Sequence, residues 1–90
     1  MIARVEVRGI VQGVGFRWFV RERARRLGLA GWVRNREDGS VEIAAAGSDA
    51  AVAEFLGVLE RGPDGARVDA VITLPTGDGP ALETPFTVIK

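Results

Sequence analysis

Apolar and charged residues alternate near the start of the chain, and similar patterns recur further along it. In segment 3–7 apolar side chains stand at every second position with charged ones between them, which is typical of a strand with one buried face. Comparable alternation predicts strands over 40–45 and 67–74. The apolar stretch 29–36 predicts a further strand before the turn that precedes residue 40, and 86–89 is long enough for a short last one.

Two segments show helical spacing instead. Over 17–27 apolar residues recur every three or four positions among arginines and a glutamate, and Gly28 is suited to end the helix. Ser48 is suited to begin a second helix, which Gly62-Pro63 would stop. The apolar face of this second helix comprises Val52, Phe55, Leu56 and Leu59.

The elements therefore follow in the order β-α-β-β-α-β, with room for a fifth strand. This order predicts an α+β fold, the two-layer ferredoxin-like sandwich, in which a mainly antiparallel sheet of four to five strands carries both helices on one face. Because there is no repeat, charge block or internal linker, we expect one domain over residues 1–90. Such a fold hosts many activities and by itself decides none.

Composition removes whole classes of chemistry. The chain has no cysteine and no histidine, so disulfides, thiolate nucleophiles, imidazole bases and Ser-His-Asp triads are excluded. Twelve basic and twelve acidic residues cancel, so no overall field attracts nucleic acid or a membrane. No membrane-spanning run or signal peptide is evident, and we predict a cytoplasmic protein. An enzyme of this composition must use arginine, amides, carboxylates, hydroxyls or backbone groups.

Glycines at 9, 13 and 15 separate the first strand from the first helix. Glycine accepts positive φ and lets successive N–H groups turn towards one anion, and the helix that follows adds the positive end of its dipole. Arg17 stands at the helix start, where a cation is unfavourable unless an anion joins it. The alternative explanations are a tight connection for the glycines and an ordinary surface position for Arg17. A Walker motif is excluded because no lysine precedes Lys90, and a dinucleotide fingerprint because Trp18 stands where glycine is needed.

Asn35 has the same strand parity as Val33, so we expect it on the helix-covered face, near the strand end where that face opens. An amide there can close a site, although asparagine beside a turn is more commonly a turn or capping residue. Trp32 has the opposite parity and is predicted to pack on the outer face of the sheet.

Other positions in the strands and turns predict burial rather than chemistry. In the fourth strand, alternate positions predict one shared face for Val68, Ala70, Ile72 and Leu74. A metal site or catalytic carboxylate pair is conceivable among three acidic residues, but we expect them to be solvated charges. These residues are Glu37, Asp38 and Glu42.

Two motifs resemble the signatures of the acylphosphatase family. The first covers residues 7–17 and reads VRGIVQGVGFR; the second covers residues 31–41, reads GWVRNREDGSV and is followed by Gly47. Both match at their defining positions with the expected interval between them. The length and element order of the family also fit the whole chain.

The resemblance implies hydrolysis of acyl phosphates, the mixed anhydrides of a carboxylic acid and phosphoric acid, to a carboxylate and inorganic phosphate. It implies neither a metal nor another cofactor, and no phosphoenzyme. The catalytic arginine of the family corresponds to Arg17 and its catalytic asparagine to Asn35. The phosphate-binding amides that it implies, alongside the Arg17 side chain, are those of Gln12, Gly13, Val14, Gly15 and Phe16.

Two other functions remain open. One is a non-catalytic module that binds acyl or carbamoyl phosphate, because similar domains occur at the amino end of hydrogenase-maturation carbamoyltransferases. The other is a regulatory or RNA-binding domain, although Trp32 has no RNP-type strand around it. We favour a monomeric hydrolase that acts on a small-molecule acyl phosphate, with neither nucleic acid nor membrane as partner. The acyl group is expected to face open surface, which leaves acetyl phosphate, carbamoyl phosphate and bisphosphoglycerate-type compounds as candidates.

Overall fold

The computed structural model describes residues 1–89 and has the predicted order of elements. Predicted and observed ends differ by a few residues, the largest difference being the longer first strand. No helix within the described residues is long and apolar enough to cross a membrane. The elements are β1 Ile2–Ile10, α1 Phe16–Arg26, β2 Ala30–Asn35, β3 Val41–Ala46, α2 Asp49–Arg61, β4 Arg67–Thr73 and β5 Thr87–Val88.

The five strands form one sheet in the order β4-β1-β3-β2-β5. The pairs formed by β1, β2, β3 and β4 are antiparallel, whereas β5 runs parallel to β2. One face of this sheet packs against both helices, which gives the predicted ferredoxin-like α+β sandwich. The core between sheet and helices includes Val7, Val33, Ile43, Val20 and Phe55.

The helix termini lie where the sequence predicts them. Ser48 caps α2, and its Oγ accepts a hydrogen bond from the N–H of Ala51 at 3.2 Å. Gly28 follows α1 with φ 70°, and its N–H donates to the carbonyl of Arg25 at 3.1 Å. Gly62, with φ 66°, is the C-cap of α2.

The pairing of β1 with β4 contains an irregularity that changes which side chains reach the core. Arg8 pairs with Ala70 but the next residue, Gly9, pairs with Val68, so Asp69 is an extra residue in β4. A Cβ atom on Gly9 would lie only 1.9 Å from a backbone oxygen of β4, which explains the glycine at this close approach.

The prediction of one shared face in β4 is therefore wrong. Val68 and Val71 both pack against the core, because the extra residue shifts the parity by one position. Ile72 is 39% exposed on the outer face, opposite Glu6, and Leu74 lies beyond the end of the strand.

Trp32 packs on the outer face of the sheet, as its parity predicts. It is only 1% exposed, and its indole N–H donates to the carbonyl of Pro80 at 3.0 Å. The guanidinium of Arg34 lies 4.7 Å from the ring centre. The segment that follows β4 thus covers the outer face at this point.

Glu42 was expected to be a solvated charge, and this prediction is wrong. The residue does face outward, but it is 2% exposed, and its carboxylate accepts hydrogen bonds from Arg4 at 2.6 Å and Arg34 at 2.9 Å. Glu6 lies directly opposite on β1 and is also buried. Its carboxylate accepts hydrogen bonds from Arg8 and Arg36. Glu37 and Asp38, by contrast, are exposed in the turn between β2 and β3.

The replacement Glu42→Gln is expected to lower the free energy of unfolding at pH 7 by about 1–3 kcal/mol, because two arginines lose a charged partner. Burial raises the pKa of Glu42, but the hydrogen bonds from Arg34 and Arg4 outweigh it and hold the pKa below the ordinary 4.5. A depressed carboxyl pKa stabilises the fold above the ordinary value, and this contribution is lost as the pH falls through the folded-state pKa.

Urea unfolding at pH 7 and at several values below 4.5 measures this effect. The gap between wild type and Glu42→Gln should narrow as the pH falls. Glu37→Gln, in the exposed turn, is the matched control and should leave stability unchanged. Equal stability of the two variants at pH 7 would contradict the prediction.

Candidate active site

The connection between β1 and α1 turns the chain sharply through two left-handed glycines. Gly13 has φ 77° and Gly15 has φ 75°, and a Cβ atom on either would meet nothing within 4 Å. Glycine is needed here for its backbone conformation and not for lack of space. None of the N–H groups of residues 12–15 donates a hydrogen bond to an acceptor within residues 1–89. Within the described residues, the backbone donors of the loop are therefore left free.

The amino end of α1 adds further donors and a positive dipole. Its N-cap, Gly15, has no side chain to accept a hydrogen bond, and no acidic residue lies in the first turn. The other helix has both, in Ser48 and Asp49. Because the first N–H groups of a helix have no intrahelical acceptor, an anion is the natural partner for this end of α1.

Arg17 is the second residue of α1 and is half-buried. Within residues 1–89 its side chain has no carboxylate or carbonyl partner. Every other half-buried arginine in that part of the chain is paired with a carboxylate. These paired residues are Arg4, Arg21, Arg34 and Arg36. The uncompensated charge of Arg17 thus lies beside the unpaired amides of the loop, as a site for an anion requires.

A cleft of about 410 Å³ opens at this point. The predicted site residues in its wall are Gln12, Gly13, Gly15, Phe16 and Arg17. Its wall also includes Val11, Trp18 and Val88.

Among the described residues, two predicted site residues, Val14 and Asn35, do not line this cleft. The Val14 side chain instead packs against the core. Asn35 is the last residue of β2, lies opposite Val41 on the helix-covered face as predicted, and is exposed.

The position of Asn35 relative to the cleft follows from the sheet. Val33 pairs with Val88 of β5, and Val88 lines the cleft. Asn35 stands two residues further along the same face, about 7 Å beyond Val33. The structure therefore brings Arg17 and the loop together and leaves Asn35 outside the cleft wall.

The side chain of Gln12 has a role that the sequence did not reveal. Its Nε2 donates to the carbonyl of Arg36 at 2.8 Å and to that of Ser40 at 2.9 Å, on either side of the β2–β3 turn. The Gln12 side chain thus ties the β1–α1 loop to the residue next to Asn35. The sequence signal that could have drawn attention to it is a polar amide between the apolar pair Ile10-Val11 and Gly13.

Comparison with known proteins places these features in a family. The family model described as Acylphosphatase matches residues 3–86. An acylphosphatase from Nitrobacter hamburgensis is 52% identical over 75 residues, which is 83% of this chain and 76% of the relative. The crystal structure of acylphosphatase from Bacillus subtilis superimposes with a TM-score of 0.87 at 36% identity and covers all of both chains. HypF from T. kodakarensis matches the whole chain at TM-score 0.80 and 33% identity, but over only 12% of its own length.

Removing the Gln12 donors should loosen the loop. We expect Gln12→Met, which keeps a similar length, to lower the free energy of unfolding by about 1–2 kcal/mol and to weaken the binding of inorganic phosphate. Urea unfolding and calorimetric titration with phosphate measure the two effects. Glu37→Met, in the exposed turn nearby, is the control. A Gln12→Met protein that matches this control in both measurements would show that the two Gln12 hydrogen bonds do not stabilise the loop.

Proposed function

The chain belongs to the acylphosphatase family and hydrolyses small-molecule acyl phosphates, and we propose that Arg17 and the loop amides hold the phosphoryl group while Asn35 orients the attacking water. The observation that carries this proposal is the half-buried Arg17, which has no partner within residues 1–89 and lies beside the uncapped amino end of α1 in one cleft. The phosphate-binding groups proposed are the amides of Gln12, Gly13, Val14, Gly15 and Phe16 and the guanidinium of Arg17.

These groups suit the charge that the reaction develops. In phosphoryl transfer, negative charge is spread over the three equatorial oxygens of a loose transition state. The planar guanidinium of Arg17 offers paired donors and stays charged at any working pH. Loop amides that are already oriented, with no internal acceptor, stabilise those oxygens without further rearrangement.

The chemical step breaks the bond between phosphorus and the acyl oxygen. Water oxygen bonds to phosphorus, the carboxylate leaves with the electron pair, and one water proton passes to a phosphate oxygen of the substrate itself. A carboxylate is a good leaving group, so positioning and charge stabilisation matter more here than a strong base. The chain contains no histidine that would act as that base.

The place of Asn35 outside the cleft wall is compatible with its proposed role. In-line attack puts the water on the side of phosphorus opposite the leaving group. A residue that orients this water does not have to share the wall that holds the phosphoryl oxygens. The side-chain carbonyl of Asn35 can accept a hydrogen bond from the water, and its amino group can donate one to the substrate.

Arg17→Ala and Asn35→Ala should each lower kcat/KM for benzoyl phosphate by about 100-fold or more, the loss expected when a transition-state donor is removed. Phosphate release in the presence of a metal chelator measures the rate, and circular dichroism checks that each variant is folded. Arg26→Ala removes an exposed arginine from the last turn of the same helix and should retain wild-type activity.

The alternatives give different outcomes. A folded wild type that binds phosphate but releases none from benzoyl phosphate would point to a non-catalytic binding module. Activity that survives both alanine replacements would exclude the proposed roles of Arg17 and Asn35. A pH–rate limb near a protein carboxyl pKa would argue against the substrate phosphate as proton acceptor.

We also propose the domain organisation, oligomeric state, cellular location and partners of the protein. We infer that residues 1–90 act as one domain and a monomer, in the cytoplasm, without nucleic acid as a partner. The single core shared by both helices and the sheet supports a single unit.

We expect one cooperative urea transition and, in sedimentation equilibrium, the mass of one chain. Cell fractionation and an RNA mobility-shift assay test the remaining points. Two transitions, a mass that rises with concentration, or a shifted RNA band would each contradict the corresponding statement.

A further inference from the structure

Trp18 is exposed at the amino end of α1, away from the face of the helix that Phe16, Val20 and Ala24 bury. It is 61% exposed, whereas the other tryptophan, Trp32, is 1% exposed. Trp18 is the third residue of α1, lies directly after Arg17 and lines the cleft. An exposed indole at the wall of a cleft offers a large apolar face to a ligand group.

The indole is held in place by its neighbour on the helix. The guanidinium of Arg21 lies 4.6 Å from the ring centre of Trp18 and also donates to the carboxylate of Glu22 at 2.8 Å. A cation–π contact of this kind favours the present position of the ring. Arg21 already has a carboxylate partner and is therefore poorly suited to attract an anionic acyl group. The indole ring is better suited to contact an apolar acyl group.

The cleft has more space than a phosphoryl group fills. The cleft has a volume of about 410 Å³ and is open to solvent on one side. A phosphoryl group has four heavy atoms, so most of this space is left for the acyl part of the substrate. Apolar residues in its wall are Val11, Phe16, Trp18 and Val88, but Val11 and Phe16 are each only 1% exposed, so Trp18 presents the most apolar surface.

We propose that Trp18 forms the acyl subsite and makes the enzyme prefer acyl phosphates with a planar aromatic acyl group over those with a small one such as acetyl. The proposal deepens the proposed function and rests on it, because Arg17 and the loop anchor the phosphoryl group. It replaces the sequence-based expectation that the acyl group meets only open surface.

Two phosphonates test the subsite separately from hydrolysis. Benzylphosphonate and methylphosphonate share the anionic head and differ in the ring, and calorimetric titration gives both affinities. We expect wild type to bind benzylphosphonate about five- to tenfold more tightly, Trp18→Ala to lose most of this preference, and Trp18→Phe to retain most of it. The ratio of kcat/KM for benzoyl phosphate to that for acetyl phosphate should fall by a similar factor in Trp18→Ala only.

Each of the other outcomes would overturn the proposal. If Trp18→Ala weakens both phosphonates equally, Trp18 supports the loop and not the acyl group, and the proposal fails. If the preference is unchanged in Trp18→Ala, the indole is not the subsite. A folded wild type that binds neither phosphonate overturns the phosphoryl anchor itself, and this failure is seen before any Trp18 variant is compared.

Discussion

The left-handed turn between β1 and α1 is the constraint on which the site depends. A residue with a Cβ atom in the left-handed conformation of Gly13 or Gly15 would lower the stability of the fold by about 1–2 kcal/mol. Glycine is therefore what allows the chain to turn here. This turn sets the direction in which α1 begins and brings Arg17 to the cleft. Gln12 then ties the turn to the β2–β3 connection through two backbone carbonyls. One short segment thus supplies the amides, the helix dipole and the guanidinium.

Features that would stabilise an ordinary helix are missing where the anion is proposed to bind. The amino end of α1 has no side-chain cap and no acidic residue, and Arg17 has no partner within the described residues. Other parts of the molecule show the opposite arrangement. The buried carboxylates Glu6 and Glu42 are each paired with two arginines, and α2 is capped by Ser48. The uncapped N–H groups and the positive charge at this end of α1 are what a bound phosphoryl group would satisfy.

Local patterns in the sequence were sufficient to predict the structure where it is determined by residues close together in the chain. Strand parity correctly predicted the faces of Asn35 and Trp32, because β2 is regular. It failed in β4, where Asp69 is an extra residue that only the pairing with β1 reveals. The glycines and Arg17 indicated the loop in the same local way. The burial of Glu42 and the contacts of the Gln12 side chain depend on residues from other parts of the chain, which periodicity does not show.

The proposed division of the cleft has a consequence for how substrate choice changes. The phosphoryl group is the same in every acyl phosphate, and the groups proposed to hold it are backbone amides and one arginine whose places follow from the turn. Changes there would affect all substrates and the folding of the loop together. Trp18 is exposed and contributes nothing to the core, so its replacement costs little stability. Discrimination between acyl groups can therefore vary at this position while the chemistry and the fold stay the same.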